Sequence, residues 1–519
     1  MNEADFILGP RVSRRSVLRA LASTPVLLLG ASNLAAQTNL TGYWLVLSPM
    51  GDGTYRKSYF CLQQAGEAIS GKVLFGSREL PISDGSFNDG LLKFDVITHY
   101  REGTRTISYT GQMKGEKIDI QVNFPGRSPM TGTAQRTTRE ATLPPKQLPL
   151  PALRDLPDNG LVRTPPMGWN SWNKFAGRVN DQVVRAAADA MVASGMAKAG
   201  YIYINIDDTW QGERDSKGRI TGNKKFPDMK ALCDYVHSKG LKIGIYSGPG
   251  PETCAGYEGS FGHEEQDART YAEWGFDYLK YDWCSAARIY KDEDMRPVYQ
   301  KMGEALLKCG RPIVYSLCQY GRDDVWGWGA RVSGNLWRTT GDINDHWERM
   351  DEIGFSQFAI QHYMRPGHWN DPDMLEVGNG GMTDDEYRTH MSLWCLLAAP
   401  LLAGNDLSSM SKETVDILMN PEVIAIDQDP AANPAQLVTY VEKHVVAYRK
   451  LHDGSTAVAF FNRDEKPAEI GVQWSAVGIE GKELQARDLW KHEAVEVSYT
   501  RYSTKVPAHG VVMLKVKAV

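Results

Sequence analysis

The hydrophobic and polar positions of this chain change rhythm along its length. From 37 to about 136, short apolar stretches such as Tyr43-Trp44-Leu45-Val46-Leu47, Lys72-Val73-Leu74-Phe75 and Leu92-Lys93-Phe94-Asp95-Val96 alternate with Gly, Asp and Asn turns. That is the pattern of strands joined by hairpins, and no helical period accompanies it. It predicts a small all-β module over 37–136, either sandwich or barrel. The segment Leu143-Pro144-Pro145-Lys146-Gln147-Leu148-Pro149-Leu150-Pro151 can form neither a helix nor a central strand. A semi-extended linker is expected over 137–160.

From 161 to about 425 the chain alternates short apolar runs with helical stretches. Strands are predicted at 167–172, 201–207, 241–246, 276–282, 312–318, 336–338, 367–371 and 397–402, with helices between most of them, for example 181–199 and 228–239. Eight βα-like units in about 250 residues match a (β/α)8 TIM barrel, an α/β fold. The rival, a doubly wound open sheet, normally carries a Gly-rich turn after its first strand, and none occurs here. Strand patterns return at 437–441, 445–450, 456–462 and 511–516. They predict a C-terminal antiparallel β-sandwich over 426–519.

Length and composition sharpen this picture. A chain of 519 residues is too long for one core. The net charge of -5 gives no electrostatic case for nucleic acid or an anionic membrane as partner. At the start, Ser13-Arg14-Arg15-Ser16-Val17-Leu18-Arg19 precedes an apolar run through Val26, Leu27, Leu28 and Leu29, then small residues. This is the order of an export signal over 1–36, of the twin-arginine type, with cleavage near Ala36; the bland alternative is a basic tail. The run is too short to span a bilayer comfortably, and no later segment is apolar enough to do so. The mature protein is expected outside the cytoplasm, periplasmic or secreted, and not in a membrane. Seven cysteines are too few for a disulfide-built scaffold but permit one or two bridges in an oxidising compartment.

In a TIM barrel the polar groups at the C-terminal strand ends build the active site. Here the predicted strand ends read Trp172, Asp207-Asp208, Tyr246, Lys280-Tyr281-Asp282, Cys318-Gln319-Tyr320, then Arg338 with Asp342, and Asp371 with Asp373. Apolar strands that finish in carboxylates are costly unless the charges meet partners or substrate. Lys280 and Asp282 are two apart and leave one face. The lysine favours an ionised Asp282, which suits a glycosidic nucleophile; a structural salt bridge reads equally well. Asp342, with its pKa raised by a like charge and burial, could protonate a leaving oxygen. Alternatively it caps a helix starting near Asn344. The eleven histidines form no H-E-x-x-H or H-x-H pattern, and His362 and His368 stand alone. Neither a nucleophile elbow nor a phosphate loop occurs. No metal or cofactor is implied, and carboxylate chemistry with aromatic walls remains.

TPPMGWNSWNKF at 164–175, YINIDDTWQ at 203–211, LKIGIYS at 241–247, FDYLKYDWC at 276–284, WRTTGDI at 337–343 and WNDPDMLEVGNGGMT at 369–383 together resemble glycoside hydrolase family 27, the α-galactosidase and α-N-acetylgalactosaminidase family. The resemblance implies a retaining exo-α-galactosidase acting on α-galactoside oligo- or polysaccharides. It implies Asp282 as nucleophile and Asp342 as acid/base, their carboxyl groups about 5–5.5 Å apart. It also implies Trp172 packed on the sugar's apolar face, and Asp207 and Asp208 holding O4 and O6. For both to serve, the chain must leave strand geometry there. Tyr246, Lys280, Arg338 and Asp373 match further sugar-contacting positions, and Cys254 and Cys284 match a disulfide. The chain departs from the family at Cys318-Gln319-Tyr320-Gly321, where many members carry Glu then Trp. Gln319 still binds a hydroxyl but removes a charge near the sugar's 2-position. The bulk of the Gln-Tyr pair argues against an N-acetyl group there. The N-terminal module lies outside the family pattern. Other readings are the same fold acting on an α-glucan or a β-L-arabinopyranoside, or a non-catalytic glycan-binding protein. Oligomeric state is not set by the sequence.

Overall fold

The computed structural model describes residues 39–75, 78–100, 103–126, 128–441, 443–481 and 483–519, so the export signal expected over 1–36 lies outside the described residues. The N-terminal strands β1 (Gly42–Pro49), β2 (Tyr55–Ala65), β3 (Ala68–Phe75), β4 (Arg78–Asn88), β5 (Leu91–Tyr100), β6 (Gly103–Lys114), β7 (Lys117–Asn123) and β8 (Met130–Thr137) form a closed antiparallel barrel, not a sandwich. Along β7 the side chains alternate outward and inward, with Ile118, Ile120 and Val122 buried. Each strand thus turns one apolar face inward. Trp44, Phe60, Phe94 and Tyr109 fill that interior. The Phe94 and Tyr109 rings stack at 4.7 Å between centroids.

The catalytic-domain strands are β9 (Met167–Asn170), β10 (Tyr203–Asn205), β13 (Lys242–Ser247), β14 (Tyr278–Asp282), β15 (Val314–Cys318), β16 (Leu336–Arg338), β17 (Trp369–Asp371) and β18 (Leu401–Ala403), with a side hairpin of β11 (Gln211–Arg214) and β12 (Ile220–Gly222). The eight are parallel, in the order β17-β16-β15-β14-β13-β10-β9-β18. The ring closes where the Leu375 amide donates to Leu402 O and the Gly404 amide to Leu375 O, each at 2.8 Å. The expected TIM-barrel class therefore holds, but most of its strands are shorter than the apolar runs. The run at 397–402 is the clearest case. The helix Asp384–Leu396, buried from Thr389 onward, ends against it, and only Leu401–Ala403 joins the ladder. A buried helix end and a buried strand read alike in sequence.

The helices follow local rules. Asn180 caps Asp181–Ala193 by accepting from the Val183 amide at 2.9 Å, and Val184, Ala187, Ala188 and Met191 make its buried stripe. The helix expected over 181–199 breaks at Gly195, whose φ of 89° is left-handed, and resumes as Met196–Ala199. Asp228 is the cap of Met229–Ser238 and not its first residue. The last helix, Pro421–Asp427, runs past position 425.

The C-terminal strands β19 (Gln436–Val441), β20 (His444–Lys450), β21 (Thr456–Asn462), β22 (Ala468–Gln473), β23 (Leu484–Asp488), β24 (Glu493–Val495), β25 (Arg501–Val506) and β26 (Val511–Ala518) form a six-stranded and a two-stranded antiparallel sheet. Val446, Val458, Phe460, Trp474 and Leu514 lie between them. Ala459, Phe461 and Met513 belong instead to the catalytic domain's core. At this junction the fully buried Arg449 donates to Asn433 O at 2.8 Å and Ile426 O at 2.9 Å. Among the described residues no helix is long and apolar enough to cross a membrane.

Candidate active site

Because all eight barrel strands run the same way, their C-terminal ends open on one mouth. β9 ends at Asn170, and Trp172 starts a short helix, Trp172–Phe175, instead of ending the strand; its ring is half-buried. β10 stops at Asn205. The chain bends through Asp207 and Asp208 to Thr209, whose φ is 82°. That bend lets two adjacent carboxylates serve one cavity. Asp207 Oδ2 accepts from Lys280 Nζ at 2.7 Å and from Asn170 Nδ2 at 2.9 Å. Asp208 Oδ2 accepts from the Ala255 amide at 2.7 Å, and its Oδ1 from the Thr209 amide at 2.6 Å. Burial nevertheless pushes the Asp208 carboxyl up to about 6.

Asp282 closes β14 and is buried. Its Oδ1 accepts from the Tyr320 hydroxyl at 2.5 Å and lies 3.7 Å from Cys254 Sγ. Cys254 is bonded to Cys284, so the loop after β13 is tied to the residue beyond the end of β14, as the family resemblance implied. The other five cysteines are free. The buried Tyr246 hydroxyl lies 3.3 Å from Cys284 Sγ, and Lys280 Nζ is 5.2 Å from the Tyr246 ring centroid. Lys280 is therefore not the direct partner of Asp282. It bonds Asp207 and acts on Asp282 through its charge alone.

On the opposite wall, Arg338 at the end of β16 holds two acids with one nitrogen. Its Nη2 lies 2.9 Å from Asp373 Oδ2 and 3.0 Å from Asp342 Oδ1. Arg338 and Asp373 are buried, while the Asp342 side chain is 71% exposed at the rim. Asp342 is not a helix cap: the next helix is Trp347–Ser356, with His346 before it. Asp373, held at a φ of 91°, accepts from the Ile343 amide at 2.9 Å. Gln319 is completely buried, and neither amide atom has a partner among the described residues.

The two carboxyls expected to share the chemistry are tuned opposite to expectation. Desolvation raises Asp282 above its ordinary value, against the Lys280 charge and the Tyr320 hydrogen bond. Desolvation pushes Asp342 the same way, but the charges of Arg338 and Lys280 and the Arg338 hydrogen bond outweigh it and hold Asp342 below its ordinary value. Water at the exposed rim softens both effects on Asp342. The reversal comes from the tertiary pairing. The sequence places Lys280 beside Asp282, whereas the fold gives Lys280 to Asp207 and Arg338 to Asp342. The negative charge of Asp342 itself adds to the upward push on Asp282.

A cavity of about 1050 Å³ lies between the N-terminal barrel and the linker, lined by Tyr43, Lys72, Glu79, Arg139, Leu143 and Arg288 among others, and it gathers none of these acids. The sequence reading gave no role to Asn170, none at Asp282 to Tyr320, and none to the 253–257 loop beyond Cys254. The first two sit inside or beside the quoted motifs. The loop's role arises only from its distant contacts.

Residues 164–429 match the family described as alpha galactosidase A, and residues 442–516 the α-galactosidase C-terminal β-sandwich domain. The chain belongs to the α-galactosidase family. It is 47% identical to the α-galactosidase of Cyamopsis tetragonoloba over 362 residues, covering 69% of this chain and 87% of that one. Among solved structures, α-galactosidase I from Mortierella vinacea matches with a TM-score of 0.68 and 37% identity, covering 70% of this chain and 99% of that one. The α-galactosidase of Saccharomyces cerevisiae with raffinose matches with a TM-score of 0.65 and 29% identity, over 70% of this chain and 100% of that one. Among the six family-like segments, those ending β10, β14 and β16 supply Asp207, Asp208, Asp282, Arg338 and Asp342 at the mouth just described.

Proposed function

We propose that this chain hydrolyses terminal α-D-galactosides with net retention, Asp282 attacking the anomeric carbon and Asp342 exchanging the proton. The observation that carries the reading is the joint one: Asp282 and Asp342 stand at one barrel mouth, near enough for the charge of Asp342 to act on Asp282, with Lys280 and Arg338 beside them, in a chain of the α-galactosidase family. Asp282 works as the ionised form and Asp342 as the acid, then as the base that activates water.

Trp172 offers a half-exposed ring for the sugar's apolar face. Asp207 and Asp208 present acceptors for O4 and O6, which selects an axial 4-hydroxyl and so galactose over glucose. Gln319 takes the place the family resemblance gives to a 2-hydroxyl ligand; its amide atoms are buried and unpartnered among the described residues, so it must turn its amide toward the mouth to meet that hydroxyl. The raffinose bound by the yeast relative is an example of such a substrate. Export agrees with the basic and then apolar order of residues 13–29 and with the Cys254–Cys284 bridge, which needs an oxidising compartment. Fractionation of cells making the protein with Arg14 and Arg15 changed to Lys tests that part. A panel of nitrophenyl glycosides, with product configuration followed by NMR, tests the chemistry. α-Galactose as first product is expected, and β-galactose would overturn retention.

A further inference from the structure

The N-terminal barrel lies outside both family matches, yet one of its turns reaches the catalytic mouth. The turn between β1 and β2 is mostly solvent-facing: Pro49, Gly51 and Gly53 are exposed, but Asp52 is 7% exposed. Asp52 Oδ1 shapes its own turn, accepting from the Thr54 amide at 2.9 Å. Its Oδ2 accepts from the Tyr257 hydroxyl at 2.6 Å, and its carbonyl accepts from the Lys224 amide at 3.3 Å. Gly53 has a φ of 90°, and a Cβ there would lie 2.8 Å from Lys224 Cε, so glycine permits the close approach. Lys224 follows β12 and Tyr257 follows β13. The turn therefore touches the loops that follow both β10 and β13.

Tyr257 in turn closes a small loop. The Thr253 amide donates to Tyr257 O at 2.8 Å, and the Tyr257 amide donates to Thr253 Oγ1 at 3.0 Å. Inside this loop lie Cys254, bridged to Cys284 beside Asp282, and Ala255, whose amide holds Asp208. The interior of the N-terminal barrel is filled by its own side chains; the turn at Asp52 is where it meets the loops of the catalytic mouth.

We propose that the N-terminal barrel completes the active-site rim: Asp52, acting through Tyr257, holds the 253–257 loop so that the Ala255 amide keeps Asp208 set for the sugar. Asp52 and Tyr257 are positioning residues, and their role rests on the reading of Asp208 as a sugar-hydroxyl acceptor.

The test uses the full chain with Tyr257→Phe, Asp52→Ala and Asp52→Asn. Hydrogen exchange across 251–259 and steady-state kinetics on a nitrophenyl α-galactoside are read together. Tyr257→Phe and Asp52→Ala should speed exchange in that segment. They should also raise KM on the order of tenfold, the scale of one hydrogen bond to a charged group, with kcat changed by less than about twofold. Asp52→Asn keeps an acceptor oxygen and should restore most of both. Unchanged exchange in Tyr257→Phe would overturn the clamp. Faster exchange with KM unmoved would overturn its link to Asp208. Asp208→Asn with unaltered KM would instead condemn the reading of the sugar site, and with it the proposal's last step, while the exchange result would stand.

Discussion

The chain contains two eight-stranded barrels, and only one of them carries a concentrated set of acids. The difference lies in strand direction. In the antiparallel N-terminal barrel successive strands point opposite ways, so their C-terminal ends are shared between both rims and joined by tight turns. In the parallel catalytic barrel every strand ends at the same rim. Residues far apart in sequence, such as Asp207, Asp282, Arg338 and Asp373, are brought to one cavity. Both interiors are packed, so neither barrel offers a pore. A parallel barrel makes an active site by convergence, while an antiparallel one lends a single turn, here that of Asp52.

The comparison breaks or sharpens under mutation. The largest effect is expected at the convergent mouth. Asp282→Asn should lower turnover of a nitrophenyl α-galactoside by about three to five orders of magnitude, the scale for loss of a nucleophile. Asp119→Asn, on β7 of the other barrel and paired with Lys114 at its exposed surface, should leave turnover unchanged. Comparable losses in the two would erase the distinction. Next, Phe94→Ala in the N-terminal core should cost about 3–5 kcal/mol of that barrel's stability. Calorimetry would register it as an earlier transition ahead of the catalytic domain's. A single cooperative shift of the whole chain would show that the two barrels unfold as one.

Smaller, Tyr320→Phe removes the hydroxyl donated to Asp282. It should lower kcat/KM on the order of tenfold and move the acid limb of the pH profile upward. The profile itself follows from the two shifts. Asp282 must be ionised and its pKa is raised, so the rate falls as pH drops. Asp342 must be protonated and its pKa is lowered, so the rate falls as pH rises. A narrow bell in the acid range is expected for kcat/KM, and a plateau reaching alkaline pH would contradict these assignments. The smallest effect is on stability. Asp208 and Asp371 are each raised to about 6 from an ordinary 3.8. They favour the fold while protonated, and that contribution is lost as pH rises from about 4 through 6. Thermal melts across that window should show a modest decline that lessens in Asp371→Asn.

The sequence by itself determined the β, then βα, then β order, because the alternation of buried and exposed positions is a local imprint of each element. It also determined which acids stand at strand ends, since a carboxylate after an apolar run has few other places to go. Strand lengths were less legible: at 397–402 a buried helix end and a buried strand carry the same apolar letters. Only the tertiary structure decided the partners. Lys280 is two residues from Asp282 yet bonds Asp207, and at Asp342 the charges of Arg338 and Lys280 together outweigh burial. The reach of Asp52 to Tyr257 spans 205 positions of chain. Charge and hydrogen-bond pairing depend on distances across the barrel, which no periodicity along one strand encodes, and so the direction of each carboxyl's shift emerged with the fold.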